Sequence, residues 1–309
     1  MSENKLVIGT RSSQLAKLQA AEIKTRLQRL FSGEDIVVEI KLIETTGDRK
    51  LDQPLAQIDG KGIFLKEIEK ALLQREIDMA VHSLKDVPTD MPSDLKLAAL
   101  PAREDPRDVL VAENYNNLEE LPRGAKIGTG SVRRRTQLLQ RRPDLEVASV
   151  RGNVDTRLRK LREQDYDALV LAAAGLNRMN LSDNISYYFS PRKFLPAAGQ
   201  GGLAVEIRED NKWLESQLKK LEDKNTVSCL KAERTLLAEL GGGCHVPIGC
   251  YARTIEEKIE LFGMVGDREG KKYIKEDITG NIDKGKEIAA ELAGKLLELG
   301  AADLLEEEV

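Results

Sequence analysis

The chain has 309 residues, 41% hydrophobic and 32% charged, which is long enough for two or three domains with their own cores. No stretch approaches the ~18 uninterrupted apolar residues of a spanning helix, and strand-like Leu6-Val7-Ile8 leaves no room for a secretory leader; a cytoplasmic protein with no membrane partner is expected. A net charge of -4 and 4% aromatic content offer few stacking platforms for nucleic acid, and three cysteines, an odd number, argue against a disulfide framework, so a small polyanion is the better-fitting partner.

In chain order, short apolar runs alternate with helical patterns, which predicts an α/β fold. After Leu6–Ile8 comes Gly9-Thr10-Arg11-Ser12-Ser13, then a helix with its stripe at Ala16, Ala20, Ile23, Leu27 and Leu30. The run from Ile36 to Leu42 alternates with period two and reads as a strand. A loop from Thr45 to Asp59, a helix from Phe64 to Gln74, and strands at Asp78–Val81 and Leu97–Leu100 complete a first unit, with Pro101 and Pro106 flanking a candidate hinge.

A second unit begins near Asp108 and echoes the first. Ile127-Gly128-Thr129-Gly130-Ser131 repeats the strand-Gly-Thr-x-Ser turn of Ile8 to Ser12, again followed by a helix. A helix N-terminus exposes unpaired N–H groups and hydroxyls add donors, so each turn is a candidate anion cradle. Arg133-Arg134-Arg135 lies in the first turns of that helix, where cations repel one another unless an anion is bound. Arg151 and Arg157 follow the strand Glu146–Val150, and Arg178 follows the strand Ala168–Leu171. This places them at the carboxyl ends of inferred parallel strands, where guanidinium suits carboxylate or phosphate. A strand near Leu203–Ile207 is expected to return to the first unit. From about Asn225 a third unit reads as a helix Val227–Leu240, a strand pair around Ile259–Ile274 and a helix Lys284–Leu299.

Two constellations carry chemistry. In His82-Ser83-Leu84-Lys85-Asp86-Val87-Pro88, at a strand's carboxyl end, Asp86 can transfer protons or stabilise a developing cation while Lys85 holds an acidic group. A serine-hydrolase reading fails, because His82 and Ser83 are adjacent and no Gly-x-Ser-x-Gly elbow exists. In Gly241-Gly242-Gly243-Cys244-His245-Val246-Pro247, the thiol of Cys244 is displayed rather than packed, which points to covalent attachment or nucleophilic chemistry. Cys229, Cys244, His245 and Cys250 number four zinc-type ligands but form no C-x-x-C knuckle, so no metal is expected. Cys229 shares a helix stripe with Ala232, Leu236 and Leu240, and Cys250 lies in an apparent strand; both read as structural. A non-catalytic, two-lobed polyanion-binding module with a reactive thiol is the alternative.

Arg11–Ser13, Thr45–Arg49, Lys61–Phe64, His82–Pro88, Gly128–Arg134, Arg151–Val154, Ala198–Gly201 and Gly243–Pro247 together resemble the hydroxymethylbilane synthase (porphobilinogen deaminase) family, in its order and over nearly the whole chain. The resemblance implies an α/β fold of two periplasmic-binding-protein-like lobes with a cleft between them plus a smaller C-terminal α/β domain. The expected division is 1–101 with 202–222, 106–196, and 223–309. It implies condensation of four porphobilinogen molecules with release of ammonia, primed by a dipyrromethane cofactor covalently attached through Cys244, in a monomer that binds no nucleic acid. Carried over residue by residue, Asp86 becomes the catalytic carboxylate. Arg11, Ser13, Lys61, Phe64, Ser83, Lys85, Thr129, Ser131, Arg133, Arg134, Arg151, Arg157, Arg178 and Gln200 become cofactor- or substrate-binding, and the segment from Gly47 to Asp59 matches a mobile loop. Gln57 departs from relatives that carry a lysine there.

Overall fold

The structure is a computed structural model that describes residues 4–46, 65–163, 166–242 and 246–306. It forms two compact units, Met1–Arg103 with Gly202–Thr226, and Glu104–Gly201 with Val227–Val309.

The first unit is built on a five-stranded sheet. Strands β1 (Asn4–Arg11) and β2 (Ile36–Ile43) run parallel in register from Asn4 opposite Ile36 to Arg11 opposite Ile43. On the other side of β1 lies parallel β3 (Met79–Ser83), then β10 (Leu203–Arg208), antiparallel to both β3 and β4 (Leu95–Ala99). Helix α1 (Gln14–Leu30) buries Ala16, Gln19, Ala20, Ile23 and Leu27 against one face, joining a core with Leu6, Ile8, Val81 and Val205. Helix α2 (Lys66–Leu73) covers the opposite face through Ile68, Ala71 and Leu72, packed with Ile77, Ala80 and Leu95. Covering both faces explains why β10 is buried along its whole length, Glu206 and Arg208 included.

The second unit holds a sheet of the same plan. Strands β6 (Lys126–Gly128), β7 (Glu146–Ala148) and β8 (Ala168–Ala172) are parallel, with β6 between the other two. β5 (Asp108–Val111) pairs antiparallel with β8 and with the edge strand β9 (Tyr187–Tyr188). The orders β2-β1-β3-β10-β4 and β7-β6-β8-β5-β9 are therefore equivalent, but the antiparallel strand comes last in the chain in one unit and first in the other. Helices α3 (Val132–Arg141), α4 (Val154–Arg162) and α5 (Ala173–Arg178) follow β6, β7 and β8.

The same unit includes an antiparallel meander of β11 (Ile248–Ile255), β12 (Lys258–Gly266) and β13 (Tyr273–Asn281). One face packs on a helix spanning Lys224–Glu239 and another spanning Gly285–Leu296, in a core that contains Cys229, Ala232, Leu236, Leu240 and Cys250. The expected strand pair is thus three strands. The last runs to Asn281, beyond the expected end near Ile274, because its charged residues, half-buried Lys275 and Glu276 and exposed Asp277, mask the strand pattern. Thr136 Oγ1 donates to the Asp267 carbonyl at 2.6 Å, and Arg135 donates to the Arg268 carbonyl and pairs with Glu269, fastening the meander to α3.

Candidate functional site

In the first unit, the carboxyl ends of β1 and β3 lie side by side and carry five of the expected site residues. β1 ends at Arg11, and Ser13 caps α1, its Oγ accepting from the Ala16 N–H at 3.3 Å. β3 ends at Ser83, whose Oγ accepts from Gln19 Nε2 at 2.7 Å. A single 3-10 turn, Leu84–Asp86, follows. Leu84 anchors it, being buried with its N–H donated to the Gly202 carbonyl at 3.0 Å. The turn leaves Lys85 half-buried and Asp86 exposed.

Directly below, on the buried side of β3, His82 Nε2 meets Glu206 Oε2 at 2.9 Å, and among the described residues the other carboxylate oxygen of Glu206 has no hydrogen-bond partner. Burial, and next the charge of Glu206, raise the pKa of Glu69 on α2 above the usual carboxylate range.

In the second unit, Ser131 caps α3, its Oγ accepting from the Arg134 N–H at 3.4 Å, while Thr129 Oγ1 accepts from the Ser131 N–H at 3.3 Å. The turn needs glycine for closeness: a Cβ on Gly128 would lie 2.6 Å from Leu169 Cδ2, and one on Gly130 3.1 Å from the Val150 carbonyl oxygen. Arg151, Arg157 and Arg178 are half-buried after the carboxyl ends of β7 and β8. Arg157 Nε donates to the Gly152 carbonyl at 2.8 Å and Arg178 Nη2 to that of Gly201 at 3.2 Å.

The arginine run differs from expectation. Arg133 and Arg134 are 4% and 5% exposed, and their shared anion is internal: Asp108, at the start of β5, is fully buried. Arg133 Nη1 donates to Asp108 Oδ2 at 2.6 Å, and Arg134 Nε to Asp108 Oδ1 at 2.9 Å. Burial would raise the carboxyl of Asp108, yet the Arg133 and Arg134 charges outweigh it and hold the pKa at about 2. Burial lowers Arg133 below the usual arginine value. Gln200 is buried too, its Nε2 donating to Asp108 Oδ1 at 2.9 Å and to the Pro106 carbonyl at 2.8 Å. The run therefore needs no external anion to relieve repulsion between its first two members, and Arg135 leaves toward the meander. Asp108 escaped notice in the sequence; its one signal is a lone carboxylate heading the apolar run Val109-Leu110-Val111.

Cys244, Lys61, Phe64, Gln57 and the loop from Gly47 to Asp59 lie outside the described residues. Cys229 and Cys250 are both buried. Among the described residues no group of His, Cys, Asp and Glu is arranged to hold a metal, and no helix is long and apolar enough to cross a membrane.

The fold and site define a mixed α/β protein in which two like-ordered sheets each present hydroxyls and cations at parallel strand ends, a donor set suited to carboxylates. The chain belongs to the porphobilinogen deaminase family: residues 6–216 match "Porphobilinogen deaminase, dipyromethane cofactor binding domain" and residues 227–298 match "Porphobilinogen deaminase, C-terminal domain". The porphobilinogen deaminase of Syntrophobacter fumaroxidans is 44% identical over 307 residues, 99% of each chain. That of Syntrophotalea carbinolica is 46% identical over 306 residues, 99% of this chain and 96% of its own. Among solved structures, the methionine binding protein MetQ is similar at a TM-score of 0.46 and 13% identity, over 71% of this chain and 89% of that one; the family assignment rests on the sequence relatives.

Proposed function

We propose that the protein is a hydroxymethylbilane synthase, joining four porphobilinogen molecules head to tail with loss of four ammonia molecules and uptake of one water at chain release. The observation that carries this reading is family membership along nearly the entire chain, both family domains included. It leaves no support for a non-catalytic anion-binding module.

The dipyrromethane that such an enzyme carries bears acetate and propionate groups, and the residues present fit it. Arg11, Ser13, Ser83 and Lys85 in one unit, and Thr129, Ser131, Arg151, Arg157 and Arg178 in the other, are donors at strand ends. Arg133 and Arg134 bring two positive charges against the single negative charge of Asp108, an excess that favours one further carboxylate. When bound, the dipyrromethane would supply the free pyrrole α-carbon that serves as nucleophile for the first unit.

The chain's own residues do the rest. The arginines, lysines and hydroxyls bind and orient carboxylates, Lys61 among them, while Phe64 contributes ring contact to the substrate pyrrole. Gln200 holds Asp108 and Arg134 at the same donor set. Asp86, exposed on its anchored turn, opposes the positive charge that develops on a substrate pyrrole nitrogen as ammonia departs, and accepts and returns protons there. Cys244 holds the cofactor through a thioether. The enzyme works as a monomer in the cytoplasm without nucleic acid; the burial of Cys229 and Cys250 supports the compartment, and the sparse aromatics the lack of nucleic acid.

Replacing Asp86 with Asn tests the assignment. The variant should carry the same covalent adduct while porphobilinogen consumption falls by about 100-fold or more, the scale of a lost acid–base and electrostatic group. Turnover within a few-fold of the parent would remove Asp86 from the chemistry.

A further inference from the structure

We infer that Asp108 is a positioning residue for carboxylate binding: it holds Arg133 and Arg134 in one orientation and sets their combined excess at a single positive charge. The inference deepens the function proposed above and rests on it.

Consecutive helical residues point about 100° apart. Arg133 and Arg134 nonetheless converge, because both reach one carboxylate. Asp108 Oδ2 takes Arg133 Nη1 at 2.6 Å; Asp108 Oδ1 takes Arg134 Nε at 2.9 Å, with Arg134 Nη2 2.7 Å away. Further N–H groups are spent on backbone. Arg133 Nη1 also donates to the Leu195 carbonyl at 2.6 Å and Arg134 Nη1 to that of Val170 at 2.9 Å. Gln200 completes the clamp, its Nε2 on Asp108 Oδ1 at 2.9 Å and its Oε1 accepting from Arg134 Nη2 at 3.4 Å.

All four side chains are buried, so the charges are weakly screened and their count matters. Among the described residues, the ion pairs of Arg133 and Arg134 are both with Asp108. With two guanidiniums and one carboxylate the cluster carries one positive charge; without Asp108 it would carry two, unclamped and mutually repelling. Asp108 thus presents a ready-aimed site for one pyrrole carboxylate without touching substrate.

The test uses full-length protein produced without porphobilinogen, as parent, Asp108→Asn and Asp108→Glu. Uptake of the two-unit adduct is followed by intact mass across porphobilinogen concentrations, together with the melting temperature, KM and kcat. For Asp108→Asn, half-uptake should require about tenfold more porphobilinogen or more, and KM should rise by a similar factor. Its kcat should stay within about threefold, as expected where the lost interaction is shared by ground and transition states. Asp108→Glu should recover part of the loss. A folded Asp108→Asn protein with parental uptake and KM would overturn the inference, as would loss of kcat at unchanged KM.

If Asp108→Asn does not fold, Asp108→Asn with Arg134→Gln restores the count to one positive charge and should melt as a folded protein above the single variant. A double variant no more stable than the single would overturn the charge count. Failure of the parent protein itself to take up any adduct would instead refute the proposed function.

Discussion

Asp108 makes part of the stability depend on acid. Its carboxyl titrates at about 2 in the fold against an ordinary 3.8, so its contribution is fully present above pH 3.8 and is lost as pH falls through 2. A depression of that size corresponds to about 2 kcal/mol. Denaturant titrations between pH 5 and pH 2 should show this loss in the parent protein and not in Asp108→Asn; equal slopes would mean the ion pairs do not stabilise the fold. Arg133 and Arg134 stand out in the sequence as a run of cations, but their partner does not, because it lies 25 residues upstream of Arg133 and only folding brings the two together. The hydroxyls and glycines of the two turns were legible for the opposite reason: Ser13 and Ser131 cap helices through contacts three residues away.

At the scale of the element, β3 has to present Ser83 and the Lys85–Asp86 turn while running through the middle of a sheet covered on both faces. His82 sits on that strand's buried side and is matched by Glu206, diagonally across on antiparallel β10, since Ala204 pairs with His82. Glu69 on α2 adds a second carboxyl to the cluster, feeling the charges of Glu206, His82 and Lys66. Because its pKa is raised, ionised Glu69 opposes folding at neutral pH, and the penalty disappears as pH falls below the ordinary value of 4.5. Glu69→Gln should therefore melt higher than the parent at pH 7, with the difference shrinking toward pH 4; a lower melting temperature at pH 7 would contradict the burial argument. From sequence, the apolar run of Asp78–Val81 announces the strand, and the stripe at Ala16, Ala20, Ile23 and Leu27 announces α1. The run of β4 begins two residues earlier than its pattern suggests, at Leu95, since Lys96 interrupts the apolar signal and is satisfied by Glu215 at 2.5 Å.

Across the whole molecule, the repeated strand-Gly-Thr-x-Ser turn marks a repeated sheet plan, legible because each copy is local. What the repeat does not disclose is that the fourth position of each sheet is filled from opposite directions along the chain, by returning β10 in one unit and by entering β5 in the other. Pairings between strands so far apart in sequence leave no local pattern beyond an apolar run. The exchange has a chemical consequence within each unit. β10 supplies Glu206 beneath the Asp86 strand, and β5 supplies Asp108 beneath the arginine pair. Buried carboxylates behind both candidate donor sets thus come from the two antiparallel strands.

The claim on which the chemistry depends is a covalent pyrrole primer on Cys244, and the most direct measurement is the intact mass of the denatured, purified protein followed by peptide mapping. An excess of two porphobilinogen units, each less ammonia, on the peptide containing Cys244 is expected, absent in Cys244→Ala. An unmodified mass in protein that also acquires nothing from added porphobilinogen, or an adduct that maps to Cys229 or Cys250, would contradict it.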